Sequence, residues 1–482
     1  MFHKNEAHRL QETFNAGLAF GGGRLRRLSE SSLSDPARRI LSLYDARNAP
    51  SIISEARQLA DGGVTSTSNI SLPATVQRTV IREALSDLKA LDLVSVIVDD
   101  SSSTTIGIPY ELRKSGAIQN AGIVYEGQSI PRASIEQKLD YAYLTASKLS
   151  FSVSNEVQFF SASSPLDWDS ISRNIESNAR LIRELIVRRI ANEMQRAADS
   201  FNATAGVVTD IAAQLTGSAS LVKTSSFPIV RPKTVFDIAG LQIGDTKNPI
   251  TVILNAVEVP AWNGTGTQSA GTYYVVENYN VGLVRFVDET GDAVTPTATG
   301  ACTITADVAT NCARVDLKIP SGVEYEDHLN GLIHAIGARK ALMSSSRFVV
   351  PDFMLMSPVL NDICTNARSF VYSQQQQRAG SGLSAGGDLQ AIKSISAYAT
   401  NAPGVDLRDE RILMGAGGTA TYAIAKPFET GQPFEMFGAD MRPNGVKIAY
   451  GEEYSAIHIP TALAGRLTSV IAFDSDARAA AA

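Results

Sequence analysis

The stretch DWDSISRNIESNARLIRELIVRRIANEMQRAADSF, residues 167–201, carries one uninterrupted amphipathic pattern. Apolar side chains recur at every third or fourth position, the spacing that places them on one face of an α-helix. They are Ile171, Ile175, Ala179, Ile182, Ile186, Ile190, Met194 and Ala197. At 1.5 Å per residue a helix of roughly 30 residues is about 45 Å long, which is longer than most globular helices. The pattern predicts a spine helix for one domain of the protein.

The other face of this predicted helix carries charges of both signs. Its arginines are Arg173, Arg180, Arg183, Arg188, Arg189 and Arg196, and its glutamates are Glu176, Glu184 and Glu193. Pairing within the helix, exposed to solvent, is the simpler interpretation. The alternative is that some of the arginines reach an adjoining subunit, because the planar guanidinium suits ion pairs at interfaces.

The sequence before this helix predicts extended structure. From Lys148 to Ser154 apolar and polar residues alternate with the period of two that is typical of a half-buried strand. A second strand pattern ends at residues 123–125, and the Gly/Pro-marked run EGQSIP, residues 126–131, lies between the two. Two strand patterns on either side of such a run favour an extended β-hairpin. Further upstream a helical pattern over 74–91 precedes the β-branched run 94–98.

The sequence after the helix predicts a β-rich insertion and then an α/β module. Residues 204–320 are rich in Thr, Val and Gly, with strand patterns and turn signals at Asn263-Gly264 and 290–292, which favour a small sandwich or barrel. Helical patterns follow at 325–343 and 359–370, with a strand at 353–356 between them. Ser357 is a suitable N-cap for the second helix and Pro358 suits its first turn. Late strands follow, with a hairpin signal at 443–445.

The composition sets limits on the class of protein. A chain of 482 residues is expected to contain two to four structural units. The formal charge of −6, from 43 basic and 49 acidic residues, is too small an imbalance to indicate nucleic-acid wrapping or membrane attachment. The three cysteines, Cys302, Cys312 and Cys364, form no C-x-x-C pair and are expected to be free thiols in a reducing compartment. No apolar run is long enough to span a membrane, so a soluble protein is expected.

Catalytic motifs are weak. The run GLSAG, residues 382–386, satisfies G-x-S-x-G around Ser384, and Asp406 or Asp409 followed by His458 supplies the hydrolase chain order. A nucleophile elbow needs a buried strand before the serine, whereas four glutamines and an arginine precede this run. His328 and His334 are six residues apart, which is not the i,i+4 spacing of a helical metal pair. We therefore predict no enzyme activity, no catalytic or metal site and no cofactor.

Three segments resemble those of a known family. Residues 126–131 are similar to an E-G-x-x-x-P segment in an extended loop, and Leu149 to Val157, with Ser154-Asn155-Glu156, resemble the strand and turn that enter a spine helix. Residues 354–358, with the amphipathic helix after them, resemble a strand and helix of an axial domain. In this order the segments resemble the major capsid proteins of tailed phages, the Hong Kong 97 fold. The resemblance covers residues 70–470 apart from the insertion.

The resemblance implies an α+β fold and a domain division. The expected parts of the chain, in order, are an N-terminal arm (1–66), the first part of a peripheral domain (67–118), an extended loop (119–165), the spine helix (166–203), an inserted β-domain (204–322), an axial domain (323–443), and returning strands with a C-terminal tail (444–482). We expect the arm to be uncleaved and the insertion to face outward.

The resemblance also implies a function. The chain would assemble into pentamers and hexamers of an icosahedral head around double-stranded DNA, with the virion capsid as its location after assembly in the host cytoplasm. Its partners would be itself, DNA bound without sequence specificity, and portal, scaffolding and decoration proteins, with no membrane. Assembly contacts are expected at Glu126, Gly127, Pro131, Arg132, Glu156, Arg180, Arg183 and Arg188. The alternatives are an encapsulin-type nanocompartment shell and a serine hydrolase with a β-sandwich binding module.

Overall fold

A computed structural model gives the fold of most of the chain. It describes residues 64–65, 89–98, 104–113, 126, 135–163, 170–215, 219–233, 249–262, 268–369, 391–402, 405, 407–437 and 443–480. Most of the predicted arm, most of the predicted helix 74–91 and the runs 123–125, 127–131 and 382–386 lie outside these residues. The chain forms two compact units. The first comprises Lys148–Ala179, Thr430–Gly451 and the described part of Met1–Ala84, and the second comprises Leu85–Ser147, Arg180–Glu429 and Glu452–Ala482.

The chain contains both helices and long runs of consecutive strands, which confirms the predicted mixed α+β class. The strands are β1 (Val64–Thr65), β2 (Ser95–Val98), β3 (Thr105–Arg113), β4 (Ile135–Tyr143), β5 (Thr145–Ser154), β6 (Thr204–Asp210), β7 (Leu221–Lys223), β8 (Ile250–Leu254), β9 (Val257–Val259), β10 (Tyr273–Asn278), β11 (Leu283–Val287), β12 (Thr303–Val308), β13 (Cys312–Asp316), β14 (Phe353–Met356), β15 (Ala391–Ile392), β16 (Ile395–Ala399), β17 (Arg411–Gly415), β18 (Thr421–Thr430), β19 (Phe434–Phe437), β20 (Pro443–His458) and β21 (Leu467–Phe473). The helices are α1 (Asn155–Ser163), α2 (Ser170–Ser200), α3 (Tyr325–Ser346), α4 (Pro358–Thr365) and α5 (Ser475–Ala480), with 3-10 turns at Lys89–Leu93 and Thr461–Arg466.

The predicted spine helix is α2, a single helix of 31 residues. Within the second unit its apolar stripe is buried, and Ile182, Ile186, Ile190, Met194 and Ala197 are each at most 3% exposed. The stripe lies on one face because residues three or four apart are neighbours on a helix. The periodicity therefore predicted both the helix and its buried face correctly.

The first unit has a small core next to β5. Every second residue of the strand turns inward, as the alternating pattern predicted, so that Phe151 and Val153 pack with Val157 of α1 and Ala449 of β20. β1 pairs with β5 in parallel, and β19 pairs with β20 in antiparallel fashion. The predicted hairpin signal at 443–445 lies inside β20 rather than at a turn. Its Gly445 has φ +71° where the β19–β20 register shifts, a backbone conformation that glycine tolerates best.

The extended hairpin is formed by strands other than those predicted. β3 pairs with β4 over nine residue pairs, from Thr105 opposite Tyr143 to Arg113 opposite Ile135. The alternating segment 148–154 belongs instead to β5, which pairs with β1. Alternation identified a strand, but it could not identify that strand's partner, because pairing is decided by register and packing.

Residues 204–308 contain two sheets that share one core. Their strand orders are β6-β12-β8-β9 and β10-β11-β7, and side chains such as Val252 and Ile304 of one pack with Val284 and Phe286 of the other. The predicted turn at 290–292 is present, with Gly291 at φ +93°. Strand β13, which we placed in the insertion together with Cys312, pairs in parallel with β21 of another sheet. All three cysteines are free, as predicted.

The α/β module is a sheet of six strands in the order β13-β21-β17-β14-β16-β15, with α3 and α4 packed against it. The predicted N-cap is present, because Ser357 Oγ accepts a hydrogen bond of 3.1 Å from Leu360 N, with Pro358 opening the helix. Burial raises the pKa of the Cys364 thiol to about 12, so this thiol is a core residue with little reactivity.

A buried ion pair ties the second unit together. Arg411 of β17 has no exposed surface, and its Nη1 donates to both carboxylate oxygens of Asp199 at 2.9 Å. Its Nε donates to Asn280 Oδ1 at 2.8 Å, and Nη1 lies 3.4 Å from Ser469 Oγ. One guanidinium therefore connects the end of α2, the β10–β11 turn and two strands of the α/β sheet.

Neutralising Asp199 is expected to destabilise the fold strongly. In Asp199→Asn the guanidinium of Arg411 would remain buried without a counter-charge, and breaking a buried pair in this way costs about 3–5 kcal/mol of unfolding free energy. The matched control is Glu176→Gln, which breaks the pair of Glu176, whose side chain is 61% exposed, with Arg173, and is expected to cost less than about 1 kcal/mol. Urea unfolding of the protein measures both losses, and equal losses in the two variants would contradict this role of Asp199.

Two glycine substitutions are expected to act in opposite directions. A Cβ on Gly415 would lie 2.4 Å from Leu467 Cδ2 and 3.2 Å from Phe353 Cζ, so Gly415→Ala should destabilise by about 1–3 kcal/mol through overpacking. Gly331 lies inside α3 with only Val315 Cγ1 near, at 3.9 Å, so Gly331→Ala should stabilise by about 0.5–1 kcal/mol. Urea unfolding measures whether the unfolding free energy falls in Gly415→Ala and rises in Gly331→Ala.

Candidate functional site

The β3–β4 ribbon has two faces of different character. Ile106, Ile108, Ala142 and Leu144 on one face pack against alanines of β18 and β20. Residues paired across the strands share a face, so the other face brings together Pro109 with Leu139, and Gly107 with Tyr141. Leu139 is 53% and Tyr141 55% exposed. The ribbon therefore presents an apolar stripe that its own unit leaves uncovered.

The loop that joins the ribbon strands spans residues 114–134. Within it the structure describes Glu126, which is exposed in a turn. The predicted contact residues Gly127, Pro131 and Arg132 lie outside the described residues. Glu156, another predicted contact residue, is exposed in the first turn of α1. The structure therefore leaves both glutamates accessible without assigning either of them a partner.

The arginines of α2 divide into two groups. Arg173 pairs with Glu176, Arg180 with Glu184 and Arg196 with Glu193, at 2.6–2.9 Å, all within the helix. Within the described ranges, Arg183 and Arg188 are exposed and have no such ion-pair partner. Of the three arginines that we placed among the assembly contacts, Arg180 is therefore paired within the helix, and Arg183 and Arg188 are exposed.

Arg189 belongs to a buried polar cluster that the sequence did not reveal. Its Nη2 donates to Thr145 Oγ1 at 2.5 Å, and Tyr422 Oη donates to Glu453 Oε1 nearby. Burial lowers the pKa of Arg189, which the charge of Glu453 opposes. Burial, together with the hydrogen bond to Glu453, raises the pKa of Tyr422. A β-strand tyrosine and glutamate resemble ordinary surface residues in sequence, so only the fold identifies this cluster.

A cavity of about 790 Å³ opens beside the ribbon within the second unit. Its walls come from β4, the adjoining residues of β5, the middle of α2, the segment after β7, the β10–β11 turn and the end of β20. The ionisable lining residues are Asp140, Arg189, Glu193, Arg196, Arg231, Lys233 and His458, together with tyrosines of β4 and Tyr279. Cations outnumber carboxylates among these described side chains, so the cavity favours anions.

His458 is held at the cavity wall by a carboxylate. Its Nε2 lies 2.8 Å from Asp140 Oδ2, and both residues belong to the second unit. Burial raises the pKa of Asp140, but the hydrogen bond and charge of His458, the backbone N–H of Tyr141 and the charge of Lys233 together outweigh burial and lower it overall. Asp409, which the hydrolase alternative assigned to His458, is exposed in the turn before β17, and Ser384 and Asp406 lie outside the described residues.

Metal-binding geometry is not found among the described residues. They contain no group of three or more His, Cys, Asp or Glu side chains that could hold a metal ion. His328 Nε2 is within hydrogen-bond distance of the backbone oxygen of Asp316, and His334 is exposed on the same helix. In the described part of the chain no helix is both long enough and apolar enough to cross a membrane.

Comparison with known proteins gives matches only at the level of structure. The sequence matches no protein-family model and no curated protein. The capsid structure of the cyanophage P-SCSP1u is similar, with a TM-score of 0.44 and 9% identity over 86% of this chain and 97% of that chain. The mature capsid of bacteriophage PhiM1 is similar with a TM-score of 0.42 and 10% identity, over 86% of this chain and 96% of that chain. The capsid of the Myoviridae phage XM1 has a TM-score of 0.38 and 9% identity, over 86% of this chain and 100% of that chain.

The lowered pKa of Asp140 predicts an acid-dependent loss of stability. A carboxyl group with a depressed pKa in the folded state stabilises the fold above its ordinary pKa of 3.8, and this contribution is lost as the pH falls through the lowered value. As the pH falls from mildly acidic values to the lowered pKa of Asp140, the thermal stability of the wild-type protein should therefore decrease more than that of Asp140→Asn. Thermal unfolding across the pH range measures the difference, and parallel curves for the two proteins would contradict it. The effect should be small because the carboxylate is 37% exposed.

Proposed function

We propose that this chain is the major capsid protein of a tailed phage, which assembles with copies of itself into the pentamers and hexamers of an icosahedral head. The proposal rests on the sequence resemblance and on one structural observation, the β3–β4 ribbon with its uncovered apolar stripe. The ribbon is anchored on one face by the core residues around Ile106 and Ala142. In a shell built from one protein, the neighbour of each subunit is another copy of the same chain. We therefore expect a second copy to cover the exposed stripe of the ribbon.

The exposed stripe favours association. Burying a large apolar side chain is worth about 1.5–3 kcal/mol, so covering Leu139 and Tyr141 would supply part of the free energy of assembly. The ribbon of one subunit and the receiving surface of the next are different surfaces. Contacts of this head-to-tail kind close into rings when the rotation between subunits allows it, which is how pentamers and hexamers form.

The exposed charges supply candidate contacts at the subunit boundary. Arg183 and Arg188 project from α2, and Glu126 and Glu156 are exposed acids, so opposite charges are available on different elements of the same chain. We retain these four and Arg180, with Gly127, Pro131 and Arg132 of the loop, as proposed assembly residues. Such pairs steer association and fix register more than they add affinity.

The function in this proposal is mechanical. The protein acts without catalysis or a cofactor, and it resides in the virion capsid after assembly in the host cytoplasm. Its net charge of −6 suits a shell that contains DNA without binding it tightly or reading its sequence. Portal, scaffolding and decoration proteins are the further partners that a head of this kind would have.

Electron microscopy of the purified protein tests the proposal directly. Large closed shells are the expected result. Small shells filled with cargo protein would instead identify an encapsulin-type compartment, and a monomer or dimer that persists at high protein concentration would overturn both assignments.

Replacing the loop of the ribbon is expected to block assembly without unfolding the subunit. Arg113 of β3 pairs with Ile135 of β4, so residues 114–134 can be replaced by Asn-Gly, which suits a two-residue hairpin turn. The variant should remain soluble and keep its secondary structure by circular dichroism, yet form no shells.

The control replaces residues 263–267, between β9 and β10, by the same two residues. Because this segment connects β9 to β10 along the chain and is not part of the ribbon, the control should form shells normally. Normal shells from the ribbon variant would show that the loop is not the connection between subunits.

A further inference from the structure

Helix α3 carries opposite charges at its two ends. It begins within the run EYED, residues 324–327, in which all four residues are exposed. From residue 328 to residue 351 the chain contains no Asp or Glu. At about 1.5 Å per residue the 22 residues of α3 span about 33 Å. The acidic start of the helix is therefore far from its end.

The start of α3 stays acidic when its ion pairs are counted. Arg368 pairs with Glu324 at 3.3 Å and also with Asp327. Glu326 is exposed and has no ion pair among the described residues. One cation therefore stands against three carboxylates, and the surplus of negative charge lies at the surface.

The neighbouring end of β13 adds to this surplus. His328 Nε2 lies 2.8 Å from the backbone oxygen of Asp316, so the end of β13 is beside the first turns of α3. Lys318 pairs there with Asp476 at 2.7 Å. The hydrogen bond to Asp476 raises the pKa of Lys318, and the charges of Asp316 and Asp474 raise it further. Here again the carboxylates outnumber the one cation that they share.

The C-terminal half of α3 is basic. Its cations are Arg339, Lys340 and Arg347, and Lys393 lies beside them, because Lys340 Nζ donates to the backbone oxygen of Lys393 at 2.5 Å. Burial lowers the pKa of Arg347, and the like charge of Arg339 lowers it further. In the part of the chain that the structure describes, none of these four cations has an ion pair. Asp352, the next acid along the chain, accepts a backbone N–H at 2.7 Å.

The helix dipole explains only part of this distribution. Acids at the start of a helix and cations at its end are stabilising, but the effect falls off within the first and last turn. Arg339 lies about two turns before Ser346, the last residue of α3. Lys393 belongs to the turn between β15 and β16 and not to the helix. These cations therefore need another explanation.

Exposed apolar side chains accompany the charges at both ends of α3. They are Val323 and Tyr325 at the acidic end, and Leu342 and Val350 at the basic end, each at least 38% exposed. Protein interfaces typically combine an apolar centre with a polar rim. Each end of α3 has both components, and the two rims have opposite charge.

We propose that the acidic end of α3 in one copy of the chain docks against the basic end of α3 in the next copy, with Glu326 facing Lys393. These two are the exposed charges of their ends that have no ion pair among the described residues. Repulsion between like ends disfavours the reversed arrangements. Because the two ends are different surfaces, the contact is head-to-tail and can close into a ring. The contact rests on the proposed function, since it joins the copies within a pentamer or hexamer.

Charge reversal at one end and then at both ends tests the contact in the full-length protein. Glu326→Lys and Lys393→Glu should each raise the protein concentration needed for half-maximal assembly by about tenfold, because each places like charges against one another. The double variant carries an opposite pair at every junction again and should recover most of that loss. Light scattering measures the concentration dependence, and electron microscopy shows the assemblies.

The matched control is Glu258→Lys. Glu258 is an exposed residue of β9, away from both ends of α3 in the sequence, and its reversal changes the net charge as Glu326→Lys does. This variant should assemble like wild type.

The outcomes separate this contact from the capsid proposal. Single variants that assemble like wild type would overturn the contact alone, and so would an equal loss in Glu258→Lys or a double variant that does not recover. A wild-type protein that forms no shells or rings would overturn the capsid proposal and the contact together. If circular dichroism shows that Lys393→Glu does not fold, Lys340→Glu combined with Glu326→Lys makes the same comparison.

Discussion

Arg411 is a charged side chain with no exposed surface, and the second unit is organised around it. Burying a guanidinium is costly unless its charge and its hydrogen bonds are matched. Asp199 supplies the charge from the end of α2, and Asn280 supplies an acceptor from the β10–β11 turn. The helix, the β-sandwich and the α/β sheet therefore meet in one specific arrangement, because other arrangements would leave the guanidinium or the carboxylate unpaired.

The position of α2 determines much of what surrounds it. Arg180 and Arg196 form ion pairs with glutamates of the same helix. Arg189 donates a hydrogen bond to Thr145 at the start of β5, and Asp199 pairs with Arg411 of β17. The same helix leaves Arg183 and Arg188 exposed. A long rigid element that is buried on one side and charged on the other suits the proposed function, in which each subunit keeps its shape while it contacts copies of itself.

Several elements could be predicted from the sequence because their signals are local. The three- to four-residue period of α2, the alternation in β5 and the Ser357-Pro358 start of α4 each depend on neighbouring residues, and each was predicted correctly. Strand partners could not be predicted. The ribbon pairs β3 with β4, and β13 joins the α/β sheet rather than the insertion, because pairing depends on contacts between residues distant in sequence.

By itself the sequence determined the mixed helix and strand composition, the long helix, the free thiols and the resemblance to phage capsid proteins, since periodicity, composition and the order of segments are properties of the chain alone. The tertiary structure alone decided which arginines are used internally, which face of the ribbon is left uncovered, and where the cavity lies. Asp140, Arg189 and His458 are far apart along the chain, and only folding places them around one cavity. Charge and hydrogen-bonding capacity act over distances in space, which a linear sequence does not specify.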